Sequence, residues 1–595
     1  MSVNVSLSRQ FLYGFICVFF VIFAVYGRVI GFEFVWDDTS VIWDSGSYHG
    51  EGFFNAIWSN FPISENYFRP FVVVTFALDK LLCDNSPGLM HLHNLLVHIS
   101  SSMLVGLLTA QFLFRLGKLD SLLFPVLAAL IFGLHPMVIE PASWISGRFD
   151  AYVTFWLLLL ANVDLVVQRL SFRIVSAFLL FLLAALSKEM AAVFPAMYFL
   201  VRMAYLPEQG ILSSRFQALR ADGSLAICGV LVLAGCVYLL LRFSALGYLQ
   251  QPFDPGIVRA HFGEPMQHAL LVGKTAGTYI MYAVAGGAFT SPVHFQSFPV
   301  PYDDLGAWSG TIATGVLLIG SLLLLRTGDR LGYIVPVFLT GMLPVLNILF
   351  WPNTEDIVQE RFMSLPLAIA TVLVVVELAV VSVKKKKFVL FPLVCFLLVN
   401  GAITSVTMPV WSNHMSLWSW AVYRAPQSTY AATNLAVSFR IVGDRKNARR
   451  YAEIANRLDP LLRMGDFTLA SIAVDEKKYT EAIRIADEYV KREGITEVQR
   501  GDLLYIKATA LHELGSEEAA ISILQDLVKA SGHNWRSALL LGAALEKAGQ
   551  EYRAYACWAV ALKEMPASEA SKRFSDGQLH VEDIERKANG QACVR

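Results

Sequence analysis

Residues 11–38 read FLYGFICVFFVIFAVYGRVIGFEFVWDD. The run from Phe11 to Phe32 carries one charge, Arg28, and matches the roughly 20 apolar residues that a helix needs to cross a bilayer. No A-x-A cleavage site follows it, so it reads as an uncleaved anchor. Polarity then changes abruptly, with Glu33, Asp37 and Asp38 in quick succession. The same alternation of apolar run and short polar loop continues to about residue 408. Across 595 residues the composition is 55% hydrophobic and 16% charged, which leaves a soluble chain of this size too little polar surface to face water. Beyond residue 408 the sequence is charged, Ala-rich and helical. The chain therefore divides into a membrane domain over 1–408, a linker over 409–428, helical repeats over 429–570 and a tail over 571–595.

A formal net charge of zero removes the bulk electrostatic case for a nucleic-acid partner. The seven cysteines (Cys17, Cys83, Cys228, Cys236, Cys395, Cys557, Cys593) show no CxxC or metal-ligand spacing and read as small buried hydrophobes.

Eleven candidate spans lie near 11–32, 91–114, 121–137, 149–168, 172–187, 190–206, 224–246, 308–325, 331–351, 363–383 and 388–408. With the N-terminus inside, alternate loops carry Arg115 and Lys118, then Arg169 and Arg173, then Arg202, Arg215 and Arg220, then Arg326 and Arg330, then Lys384 to Lys387. This is the excess of cations that marks cytoplasmic loops. Counting only one of the remaining apolar stretches, 70–82 or 265–288, as a span would invert every later loop. Both are therefore read as interfacial or re-entrant helices, and the repeats fall on the outer side.

The outer loops hold the unusual residues. The first has Asp37 and Asp38, then Tyr67, Arg69 and Pro70 (YFRP), and ends at His91, Asn94 and His98 (HLHNLLVH). The second has His135, Glu140, Arg148 and Asp150 (LHPMVIEPASWISGRFD); the third is Lys188 and Glu189 (SKEM); a later one has Glu360 and Arg361 (QERFMSLP). Taken singly, these are solvated loop carboxylates, boundary ion pairs or histidines satisfied by packing. His91 and His98 find no third ligand, so no metal site is read there. Together they describe a polar cleft at a membrane surface, where charges are costly enough to be kept for a purpose. Sugar transfer from a polyprenyl phosphate to a hydroxyl needs such a set. A carboxylate takes the acceptor proton, and fixed cations meet the charge that develops on the departing phosphate.

These motifs, in this order, resemble the TMTC-like protein O-mannosyltransferases, which join transmembrane helices to tetratricopeptide repeats and belong to the GT-C glycosyltransferases. The resemblance continues through WSNHMSLWSWAVYRAPQSTYAATNLA at 411–436. It implies an all-α, GT-C-like membrane domain followed by a tetratricopeptide solenoid. It also implies an inverting transfer from dolichyl-phosphate mannose to protein hydroxyls. By resemblance the catalytic carboxylate falls on Asp37 or Asp38, with Asp38 the first choice. Arg69, His91, His135, Glu140, Arg148, Asp150, Lys188, Glu189, Glu360 and Arg361 are then the donor phosphate and sugar ligands. The short repeat array makes the chain similar to a bacterial member of the inner membrane, in which undecaprenyl phosphate would replace dolichyl phosphate and the sugar need not be mannose. No cofactor is implied, since the lipid-linked sugar is a substrate; a divalent metal is left open. The alternatives are an oligosaccharyltransferase, a GT-C enzyme that modifies lipid or glycan, and a noncatalytic scaffold.

In the repeats, Ala436, Ala448, Ala455 and Pro460 fit one 34-residue tetratricopeptide unit, and Ala470 and Ala482 fit the next. Ala508 and Ala520 fit a third after an insertion, and Gly542, Ala554, Trp558, Ala561 and Pro566 a fourth. About four units make a small solenoid whose groove would present an exported protein acceptor or a partner.

Overall fold

A computed structural model describes residues 5–39, 41, 57–58, 67–83, 86–205, 212–250, 255–286, 290–349, 355–381, 386–492, 495, 497–531, 535–564, 581–588 and 590–594. Lys384, Lys385 and Pro566 lie outside them. The chain is all-α and forms two compact units, Met1–Asp38 with Ala56–Ser416, and Thr39–Asn55 with Leu417–Arg595. The boundary at Ser416 falls within the stretch read as a linker.

Among the described residues of the first unit, eight helices are long and apolar enough to cross a membrane: Phe11–Gly31, Pro87–Arg115, Ile145–Val166, Leu170–Ser187, Ser224–Leu246, Leu305–Arg326, Glu360–Val381 and Phe388–Ser412. The chain is a membrane protein. The candidate at 121–137 is broken into Leu123–Gly133 and Pro136–Ser143 with a 61° bend. Pro136 is the cause, because the residue before a proline is pushed out of the α region, and His135 is extended at ψ 131°. The candidates at 190–206 and 331–351 are shorter than expected. The first begins as a 3-10 turn, Glu189–Val193, before the helix Phe194–Ala204. The second is a 9-residue helix, Ile334–Met342, flanked by 3-10 turns and stopped before Pro344. The leftover stretch at 70–82 folds as Pro70–Cys83, whose 14 residues are too few to span. The one at 265–288 folds as Pro265–Ala285; its length suffices, but His268 and Lys274 dilute it.

Pro87–Arg115, Ile145–Val166 and Glu360–Val381 form the centre, whereas Leu305–Arg326 and Phe388–Ser412 have largely uncovered apolar faces. Close crossings use glycine, as is usual where helix backbones approach in lipid. A Cβ on Gly277 would lie 2.5 Å from Gly310 Cα, so Pro265–Ala285 and Leu305–Arg326 touch backbone to backbone there.

The second unit contains four helical hairpins: Thr429–Ile441 with Arg445–Leu458, Gly465–Asp475 with Tyr479–Val490, Glu497–Glu513 with Glu517–Ser531, and Trp535–Lys547 with Glu551–Glu564. The small residues of the expected register are its crossings. Ala436, Ala448, Ala455, Ala470, Ala482, Ala508, Ala520 and Ala561 have no exposed surface, and a side chain on Gly542 would strike the Trp558 indole. Two cysteines depart from the sequence expectation. Cys557 and Cys593 form a disulfide, which ties the end of the chain to the last hairpin. Their separation of 36 positions hides the pairing, since spacing says nothing about which thiols meet.

Candidate active site

The acidic loop after the first span is held by one of its own carboxylates. Asp38 is fully buried, and its oxygens accept from Val35 N at 3.1 Å, Ser146 N at 2.8 Å and Ser146 Oγ at 2.6 Å. Trp144 Nε1 donates to Val35 O at 3.2 Å. The backbone at Trp36 is left-handed, with φ 56°, a costly conformation for a bulky residue that persists only where its surroundings impose it. Here the indole is packed against Trp144, centroids 5.0 Å apart, and Trp411, 6.1 Å apart. Glu33 N also donates to Ser412 O at 3.0 Å. The turn at Trp36 sends consecutive carboxylates to different places: Asp38 into the protein and Asp37 to the wall of a cleft.

That cleft has a volume of about 170 Å³, and its cations are Arg69, Lys188 and Arg361. Each comes from a junction where an apolar helix begins or ends. Arg69 pairs with Glu189 at 2.9 Å and lies over the rings of Tyr67 and Phe149 at 3.9 and 4.7 Å. Lys188 Nζ sits 2.8 and 2.7 Å from the two oxygens of Asp150 and 4.4 Å from the Phe362 ring centroid. Arg361 pairs with Glu140, whose other oxygen accepts from the Arg361 backbone N–H at 3.0 Å. Its guanidinium lies against Trp36, Trp144 and Phe362. Burial pushes the Asp37 carboxyl up to about 6, against the opposing pull of Arg361. Burial likewise brings the Lys188 ammonium down to about 8, against Asp150.

The structure therefore gathers Asp37, Arg69, Lys188, Glu189 and Arg361 at the cleft, with Asp150 and Glu140 as partners of its cations. The other expected ligands do not line it. Arg148 has no exposed surface; it pairs with Asp79 at 2.6 Å and donates to Asn94 Oδ1 at 2.7 Å and Met90 O at 3.2 Å. His91 meets Glu33 O at 3.4 Å, and His98 meets Gly133 O at 2.9 Å. His135 accepts from Met137 N and meets Ala283 O at 3.2 Å. Glu360 accepts from Ser291 N at 2.6 Å and pairs with His294 at 3.0 Å. Among the described residues, no group of three His, Cys, Asp or Glu side chains is placed to hold a metal ion.

Sequence reasoning placed aromatics in the cleft but, beyond Tyr67, did not single out Trp144, Phe149 or Phe362 as its walls, because Trp and Phe in an apolar chain carry no distinguishing signal. It also missed Arg242, which reaches Glu189 at 3.3 Å. A signal was there: Arg242 is the one charge in the apolar run 224–246.

No family model matches this chain. It is similar to the protein O-mannosyl-transferase TMTC3 of Homo sapiens and of Mus musculus, 30% identical to each over 139 residues. That match covers 22% of this chain and 14% of those proteins, so the chain spans about a seventh of their length. A crystal structure of MamA protein aligns with 28% of this chain and 87% of its own at 14% identity and a TM-score of 0.21, too low to carry an argument.

Proposed function

We propose that this chain is an inverting GT-C glycosyltransferase that moves a sugar from a polyprenyl phosphate, undecaprenyl or dolichyl, to a hydroxyl of an exported protein. The observation that carries the reading is that Asp37 lines a cleft whose walls supply three buried or half-buried cations and whose other carboxylate, Glu189, is bound to Arg69. Asp37 takes the proton of the acceptor hydroxyl while its oxygen bonds to the anomeric carbon from the side opposite the phosphate. The bond from that carbon to the phosphate oxygen breaks, and its electron pair leaves with the polyprenyl phosphate. A single displacement of this kind inverts the sugar. Arg69, Lys188 and Arg361 stabilise the phosphate as charge builds on it. An acid poised near the working pH suits a general base. Asp38 is the weaker choice, because three hydrogen bonds already occupy its oxygens. It acts instead as the positioning residue that aims Asp37.

The remaining donor ligands of the sequence reading become positioning groups: Glu140, Asp150, Glu360, Arg148, His91 and His135. The alternation of basic loops supports an outer-face site on a bacterial inner membrane, with the repeats exported to present acceptor. A disulfide in the repeat unit supports the same side, since such bonds persist in oxidising compartments.

The test is Asp37→Asn in full-length protein supplied with polyprenyl-phosphate sugar and acceptor peptide, read by product mass. Transfer should fall by about 100-fold or more, the usual scale for a general base, with insertion and thermal stability retained. Normal turnover by Asp37→Asn would remove the assignment.

A further inference from the structure

The carboxylates that neutralise the cleft's cations are not equivalent. Asp150 sets both oxygens on Lys188, and Glu140 clasps Arg361 through side chain and backbone; their side chains are 5% and 3% exposed. Glu189 is 33% exposed and stands between two guanidinium groups. Its Oε2 accepts from Arg69 at 2.9 and 3.3 Å, and its Oε1 from Arg242 at 3.3 Å. The two arginines are only 4% and 8% exposed. Each is fixed by other groups: Arg69 by the faces of Tyr67 and Phe149, and Arg242 by a 2.8 Å bond from Nε to Leu249 O. The cations are built in, and the anion between them is open to the cleft.

We propose that Arg69 and Arg242 form the seat of the donor phosphate and that Glu189 is its resident stand-in. The incoming polyprenyl phosphodiester displaces Glu189, and the returning carboxylate helps expel the polyprenyl phosphate left after transfer. This rests on the reading of the cleft as a site for a polyprenyl-phosphate sugar. A guanidinium fork donates to carboxylate and phosphate oxygens in the same geometry, so one can replace the other without moving the arginines. The donor phosphodiester carries a single negative charge, as Glu189 does. The product monoester carries up to two and would leave slowly without a competitor for its seat.

The experiment uses the full-length chain in nanodiscs, with polyprenyl monophosphate as the binding probe and transfer assayed in parallel. Glu189→Gln should tighten probe binding by about tenfold, equivalent to ~1.4 kcal/mol, lower the donor KM and make turnover more sensitive to added polyprenyl phosphate. Arg242→Gln should weaken binding. Equal or weaker binding by Glu189→Gln overturns the inference, since removing a carboxylate that merely positions Arg69 would loosen the site. If that variant does not fold, Glu189→Asp serves: its charge remains, but its shorter reach breaks the bridge, so binding should tighten to a smaller degree. Unchanged or weaker binding there also overturns the inference. A wild-type chain that binds no polyprenyl phosphate defeats the reading of the cleft itself, which separates the two failures.

Discussion

Asp37 and Lys188 set the pH window of the proposed reaction. Asp37 must be ionised to accept a proton, and burial raises it to about 6, so the rate should climb as pH rises through that value. Lys188 must be protonated to stabilise the phosphate, and burial lowers it to about 8, so the rate should fall as pH rises through that value. The expected profile is a bell with its plateau between them. Lys188→Arg should lose the alkaline limb and keep the acid one, because a guanidinium does not titrate there. A profile without an acid limb would exclude Asp37 as base. Adjacent carboxylates with opposite duties were not legible in WDD. The sequence supplied the pair, but the left-handed turn at Trp36 and the hydrogen bonds that Ser146 donates to Asp38, which separate them, are tertiary.

Arg148 matters at the scale of helices. It joins Asp79 on Pro70–Cys83 to Asn94 and Met90 on Pro87–Arg115, which pins a helix too short to span against one that does. Breaking a buried ion pair from one side costs about 3–5 kcal/mol. Arg148→Ala should therefore lower the unfolding temperature in detergent by several degrees. Where the variant folds, kcat should fall while the donor KM stays near the wild-type value. A raised donor KM with unchanged stability would restore the direct phosphate contact expected from the motif alone. The motif SGRFD marks a charged residue at a helix start; it does not say whether that residue faces the cleft or a neighbouring helix.

For the molecule as a whole, the proposed outer placement of the repeats predicts an oxidised Cys557–Cys593 pair. Cys557 and Cys593 close the last hairpin onto helix Val581–Ala588, and Ile584 is fully buried in the shared apolar cluster. Peptides that carry Cys557 and Cys593, unlike those that carry the free thiols Cys17 and Cys236, should therefore be alkylated only after reduction. Reduction should expose the C-terminal segment to protease, since a structural disulfide contributes about 2–4 kcal/mol. Reporter fusions after Lys118 and after Pro460 should report opposite sides of the membrane. The same side for both, or free thiols at 557 and 593, would reverse the orientation.

Local pattern was enough for much of this protein. Apolar run length marks eight full spans, and Pro136 accounts for the break in another. Alanines 34 residues apart mark the repeat crossings, because helix packing repeats its steric demand at each unit. Loop motifs picked out the charged set, since charge beside a bilayer is expensive wherever it occurs. Only the tertiary structure sorted that set, with Asp37, Arg69, Lys188, Glu189 and Arg361 at the cleft and Arg148, His91, His135 and Glu360 in supporting bonds. The reason is physical. A residue's charge is local, but its duty depends on which partner packing brings within about 3 Å, and those partners are tens to hundreds of residues away.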